Sequence, residues 1–301
     1  MKKVILTVIA VCILAACATS GENPNVGPQL TVVIPELFSP DPEIVDDKMS
    51  VEITVNHPVR IKDWTIVIQP ARLARQATQT AAAGQGEARQ PRAEGQAEQP
   101  RRQRAPFFTQ EGHGTPPTKW EWNGKSSRPS GEMVQSATDY RFELTVNDIF
   151  DNSSTFEGTI AVDVLVRREG NNLRIIVPSI IFPGDSSDLN RVSEEDQRAN
   201  RRVIRLIATA LTRYPDYRIT IEGHANPLSA AGTPEWTRQE NTLRPLSEQR
   251  ARAVGDFLVT NHNITRNRFT YTGLGSTRPV ADFTDEEELW KNRRVEFILI
   301  R

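Results

Sequence analysis

The chain has 301 residues, enough for two domains of about 100–150 residues that each bury a core, and it sets 37 Lys and Arg against 38 Asp and Glu. A formal net charge of -1 leaves no global field for a polyanion, which excludes an ordinary nucleic-acid binder. Hydrophobic residues make up 38%, below the roughly 45–50% usual when Gly is counted in. Part of the chain therefore adds nothing to a core.

Lys2-Lys3 followed by the apolar run Val4 to Ala16 has the shape of an export signal, residues 1–16, too short to span a bilayer as a helix. Its end, Leu14-Ala15-Ala16-Cys17, resembles the bacterial lipobox. That resemblance implies cleavage before Cys17 and a covalent diacylglycerol and N-acyl lipid on its sulfur and amine, with no other cofactor. The alternative is ordinary secretory cleavage of the Ala-x-Ala type. Cys12 falls in the removed segment, so no disulfide framework is available. Ala18, where an Asp would mark inner-membrane retention, implies an outer-membrane, lipid-anchored protein facing the periplasm. Residues 17–29 are small and polar with two prolines and read as a flexible tether.

From Leu30 the pattern turns β, with runs at 30–34, 50–55 and 63–68 separated by Phe38-Ser39-Pro40-Asp41-Pro42 and Asn56-His57-Pro58. It breaks at Pro70 and resumes near Thr118. Between lie residues 71–106, an Ala, Gln, Arg, Gly and Glu tract with Leu73 as its one large aliphatic residue before the aromatic strands return, which reads as a disordered insertion. Seven arginines against Glu87, Glu94 and Glu98 make it locally basic. It is either a solvated insertion or a contact for anionic wall polymer or lipid headgroups. Strands follow at 119–122, 139–146 and 158–166, giving an all-β sandwich over 30–168. Phe38-Ser39-Pro40-Asp41, Asp63-Trp64, Trp122-Asn123-Gly124, Gly131, Tyr140 and Asp148 resemble FlgD-like immunoglobulin-type modules of bacterial envelope proteins. Such modules are spacers or docking surfaces for an envelope protein partner. Trp64, Trp120, Trp122 and Tyr140 then read as core packing.

Arg167 to Asn172 is polar and turn-rich and marks a boundary. Beyond it the pattern predicts a strand pair at 173–177 and 180–182, a helix capped by Ser193 with Asp196 three residues on, a strand at 218–224, a helix at 247–260, and strands at 268–273 and 295–300. This alternation is α+β or α/β: two long helices on one face of a small mixed sheet.

Residues 172–301 resemble the OmpA-like (OmpA/Pal/MotB) peptidoglycan-associating domain. The resemblance rests on Ile180-Ile181-Phe182, Ile221-Glu222-Gly223-His224-Ala225, Gly232-Thr233-Pro234-Glu235-Trp236, Leu246-Ser247-Glu248-Gln249-Arg250-Ala251, Thr272-Gly273-Leu274-Gly275 and Asn292-Arg293-Arg294-Val295-Glu296. It implies a fold, the OmpA-like α/β sandwich, and a partner, the peptidoglycan stem peptide, whose diamino acid is held by an Asp after Gly-His-Thr/Ala and by the Arg of Leu-Ser-x-x-Arg-Ala. That Arg is Arg250. The Asp position is Asn226, which keeps an acceptor oxygen and lacks the charge. Ser247 reads as an N-cap, which would place Arg250 in the first helical turn beside free backbone N–H groups. A long loop, 227–245, supplies Asn241 as a further contact, and Asn292 and Arg293 stand in a second tier. His57, His113, His224 and His262 show no metal spacing, and no serine sits in a nucleophile motif, so a catalytic role has little support. The expected role is non-enzymatic anchoring of the membrane to the wall. The competing expectation is an adaptor lipoprotein that works through a protein partner.

Overall fold

A computed structural model describes residues 26–40, 47–57, 59–71, 105–227, 229, 232–285 and 288–301. The expected signal segment at 1–16, Cys17, most of the expected tether and residues 72–104 of the basic tract lie outside the described residues. The chain divides into two compact units, one built from residues up to 38, 48–134 and 139–161, the other from 39–47, 135–138 and 162–301.

Among the described residues the named elements of the first unit are all strands. One antiparallel sheet orders β1 (Gln29–Val33), β2 (Met49–Asn56) and β5 (Lys119–Trp122). The other orders β4 (Phe108–His113), β3 (Ile61–Pro70), β6 (Asp139–Asp148) and β7 (Ser153–Ala161). Alternation drives this: Trp64, Ile66 and Ile68 of β3 and Tyr140, Phe142, Leu144 and Val146 of β6 are buried on one face. The sheets meet through rings, with Trp120 5.9 Å from Phe142 and 5.8 Å from Phe108. The expected core role of Trp64, Trp120, Trp122 and Tyr140 is what their burial shows.

Strand β4 was not expected, since its sequence FTQEGH is polar and does not alternate. It is an edge strand held by backbone pairing to β3, Ile68 opposite Phe108. Gly112 lies under the Trp64 indole, where any Cβ would collide with the ring. The stretch expected as a strand at 158–166 begins earlier, at Ser153, and ends at Ala161.

In the second unit the sheet order is β11 (Phe269–Gly273), β10 (Arg218–Gly223), β12 (Val295–Ile300), β9 (Asn172–Val177) and β8 (Arg167–Glu169). Strands β10 and β11 are parallel and the rest antiparallel. The polar run 167–172 folds as the β8–β9 hairpin within this sheet. Helix α1 (Glu194–Thr212) starts at Ser193, whose Oγ accepts from the Asp196 backbone N–H at 3.1 Å, as expected. Ile204, Ile207 and Leu211 of α1 join Ile175, Ile221, Phe297 and Leu299 of the sheet in one core. The opposite sheet face carries Glu222, Glu296 and Arg174, since Glu222 pairs with Glu296 and Arg174 with Ile298. Among the described residues no helix is long and apolar enough to cross a membrane.

Two expectations fail here. Ile180-Ile181-Phe182 is not a strand. Asn200 of α1 instead accepts from the Ile181 N–H and donates to the Ile181 carbonyl, both at 2.8 Å, standing in for a strand neighbour. The second helix, α2, runs Pro234–His262 and not 247–260, so the stretch read as loop 227–245 is mostly helical. Its cap is Thr233, whose Oγ accepts from the Trp236 N–H at 3.2 Å, with Pro234 in the first turn. Pro245 lies inside the helix and offers no N–H to the Asn241 carbonyl, a defect of about 3 kcal/mol in an isolated helix. Tertiary bonds from the turns before it offset this. Trp236 Nε1 donates to Ser276 Oγ at 2.8 Å, and buried Glu240 accepts from the Ser276 N–H at 2.9 Å.

Candidate functional site

Glycines bring α2 down onto the ends of β10 and β11. A Cβ at Gly223 would land on the Ser247 carbonyl oxygen, and one at Gly273 on that of Arg244. Ser247 is fully buried in the helix interior, donating to the Arg244 carbonyl at 2.9 Å and accepting from the Gly275 N–H at 3.0 Å. It is therefore not an N-cap. It ties the helix to the β11 exit, and Arg250 has no free first-turn N–H groups beside it.

Arg250 is 7% exposed. Its Nε donates to the Ser186 carbonyl at 3.2 Å and its Nη2 to those of Pro183 and Gly184 at 2.6 and 3.0 Å, while the guanidinium lies 5.2 Å from the Phe182 ring centroid. It pairs with neither Glu222 nor Glu248. Glu248 instead holds Arg252 at 2.7 Å. Nη1 makes no hydrogen bond to a described residue. Burial lowers the Arg250 pKa, the like charge of Arg293 adds to this, and Asp185 opposes it. The guanidinium remains charged at working pH. The buried guanidinium thus feels the like charge of Arg293, whose side chain is exposed.

Asn226 donates Nδ2 to the Leu289 carbonyl at 2.8 Å, which leaves Oδ1 a buried acceptor without a partner. Leu289 opens the short 3-10 turn Leu289–Lys291 that leads into Asn292 and Arg293. Asn292 is buried and spends its amide on the neighbouring loop, accepting from the Val280 and Ala281 N–H groups and donating to the Ala281 carbonyl. Its part is to hold the turn. Asn241 is exposed on α2, nine residues before Arg250 and so half a turn round the helix from it. The structure places Arg250 within the electrostatic reach of Arg293, links Asn226 to the turn that precedes Arg293, and leaves Asn241 apart.

Sequence reasoning missed the ion network beside this site. Glu296, 1% exposed, accepts from Arg294 Nε at 2.5 Å and Arg174 Nη1 at 3.0 Å. His224, 3% exposed, has its Nε2 3.5 Å from Glu296 and 4.0 Å from Glu222, with neither ring nitrogen hydrogen-bonded. Glu222, His224 and Glu296 have the spacing of a metal-ligand trio. The charges oppose that use. Arg174, Arg294 and Arg278 already pair with Glu296, Glu222 and Glu169, so a divalent cation would have to displace bonds the carboxylates have made. Burial, then Arg294, Arg278 and Arg174, push the His224 pKa down to about 3, leaving it neutral at working pH. Burial and Glu296 raise that of Glu222. The period-two spacing of Glu222 and His224 against Arg294 and Glu296 was the available signal.

Residues 181–293 match the OmpA family. A stretch of 101 residues is 34% identical to the "Peptidoglycan-binding protein ArfA" of Mycobacterium tuberculosis, covering 34% of this chain and 28% of that protein. Another of 90 residues is 39% identical to the "Peptidoglycan-associated lipoprotein" of Brucella melitensis, covering 30% of this chain and 47% of that one. The chain thus spans less than half the length of these two relatives. Among solved structures, "The structure of the cell wall anchor of the T6SS from Pseudomonas aeruginosa" is 25% identical over 46% of this chain and 87% of that one, with a TM-score of 0.35. Residues 181–293 form an OmpA-like domain whose relatives include peptidoglycan-binding proteins.

Proposed function

We propose that the chain is a non-enzymatic, lipid-anchored protein of the outer membrane that holds the membrane to peptidoglycan by non-covalent binding of the stem peptide. The observation that carries this reading is the Arg250–Arg293 pair. Two like charges, one of them buried, raise each other's energy, and a carboxylate placed between them relieves this. Three carbonyls fix Arg250 in place, so little side-chain entropy remains to be lost on binding. The free Nη1 is the group left for the ligand. Asn226 Oδ1 is an acceptor for an ammonium or amide N–H of the same ligand. Cys17 carries the anchor, and the β-sandwich, an immunoglobulin-type module, acts as spacer or as a docking surface for an envelope partner.

Co-sedimentation with purified sacculi tests the reading. Wild-type protein pellets with the wall, and Arg250→Ala and Arg250→Lys do not, while circular dichroism shows Arg250→Lys folded. Wild-type protein that stays in the supernatant overturns it.

Asn226→Asp supplies a charge at the acceptor, where a charge-assisted bond is worth roughly 1.5–3 kcal/mol against about 1 for a neutral one. It also removes the donor to Leu289. The expected net result is several-fold tighter binding to diaminopimelate-type wall, and equal or weaker pelleting contradicts it. A second reading, an adaptor with weak wall binding, draws on the same two features: a guanidinium already enclosed by carbonyls and an uncharged residue at position 226. A protein partner captured through residues 30–168 by chain that ignores sacculi would favour it.

A further inference from the structure

The β6–β7 hairpin carries two consecutive apolar side chains at its tip, Ile149 and Phe150, 47% and 59% exposed. Such turns normally take Gly, Asn, Asp or Ser, and here the turn is built with care to display something else. Asp148, fully buried, accepts from the Phe150 N–H at 2.8 Å, the Asn152 N–H at 3.0 Å, Asn152 Nδ2 at 2.9 Å and His57 Nε2 at 2.9 Å. Ile149 donates its N–H to the Arg60 carbonyl at 3.2 Å, and Lys62 pairs with Asp151 at 2.6 Å. The exposed Arg60 side chain has no partner among the described residues. A rigid apolar tip beside an unpaired cation breaks the usual rule for a solvent-facing turn.

The described chain begins at this same end of the sandwich. Gly27 lies so close to Ser153 and Ser154, at the start of β7, that a Cβ would crowd Ser154 Oγ. Gln29 pairs with Asn56, next to the His57 that holds Asp148. The roughly ten residues from Cys17 to Gly27 reach at most about 35 Å. We propose that the Ile149–Phe150 tip is a membrane-interface contact: it dips into the anionic bilayer to which Cys17 is anchored, with Arg60 on the headgroups. This rests on the lipid-anchor reading of Cys17. The contact sets which end of the sandwich faces the membrane.

The test uses the full chain, lipidated and reconstituted in phosphatidylethanolamine/phosphatidylglycerol vesicles. An environment-sensitive dye is attached at Phe150→Cys or, as a control, at Ser130→Cys in the turn beyond β5 at the Met49 end of the sheet. Emission at position 150 is expected to shift blue and to be quenched about twofold or more by headgroup-labelled nitroxide lipid, with position 130 unchanged. Chain that floats with the vesicles while position 150 reads as aqueous overturns the contact alone. Chain that does not float overturns the anchor, and the contact with it.

Discussion

Gly223→Ala lowers the thermal midpoint of the C-terminal unit by roughly 10 °C, the equivalent of about 3 kcal/mol lost. The new methyl group meets the Ser247 carbonyl, which is backbone and not the end of a flexible side chain. To make room α2 must lift from β10. That movement stretches the Ser247 Oγ bond to the Gly275 N–H and shifts Val254 and Leu258 in the core. Gly273→Ala acts alike through the Arg244 carbonyl. A melt followed by circular dichroism decides it, and a loss of under about 2 °C, less than 1 kcal/mol, would mean that the helix does not sit on the strand ends as described.

The second large effect is a pH dependence. Free histidine titrates near 6.5, and His224 in the fold near 3, because it is buried among Arg294, Arg278 and Arg174. Between these values the unfolded chain binds a proton that the folded chain does not. Stability is therefore intact above pH 6.5 and falls as the pH drops toward 3, by up to roughly 4 kcal/mol. Glu222 works in the opposite sense, since its raised pKa favours the fold on acidification. Comparing wild type with His224→Gln isolates the histidine. Denaturant melts from pH 7 to pH 4 are expected to show a steeper loss for wild type, and parallel curves would contradict the buried neutral imidazole.

The sequence carried the architecture because it alternates where strands are half-buried and repeats at helical spacing where helices face a core. Strand β12, at 295–300, and the Ser193 cap of α1 were legible to the residue. Three features were not, for physical reasons. Strand β4 is held by backbone pairing, to which side-chain periodicity is blind. The Ile180–Phe182 segment has strand-like residues, but its hydrogen bonds go to the Asn200 amide. The start of α2 was masked by Pro245, which reads as a helix boundary, and tertiary bonds through Glu240, Ser247 and Trp236 override that local rule. Thr233-Pro234-Glu235 was the overlooked start signal.

At the site the sequence led to the expectation that Arg250 and Asn226 bind the ligand, but did not show their surroundings. The carbonyl cradle at 183–186 comes from a loop whose residues have no motif of their own. Its effect is to replace a helix-terminus site by a guanidinium held from behind. In the proposed reading, binding depends on the free face of Arg250 and on Arg293, and not on the helix N-terminus at Thr233.

The central claim is that this face takes a carboxylate of the stem peptide. Isothermal titration of the full chain with two soluble tripeptide stems, one carrying diaminopimelate and one carrying lysine at the third position, tests it most directly. The diaminopimelate stem is expected to bind at least about tenfold tighter, since the lysine stem lacks the side-chain carboxylate for Arg250 and Arg293, with the difference lost in Arg250→Lys. Equal affinity of the two stems for wild-type protein would contradict it.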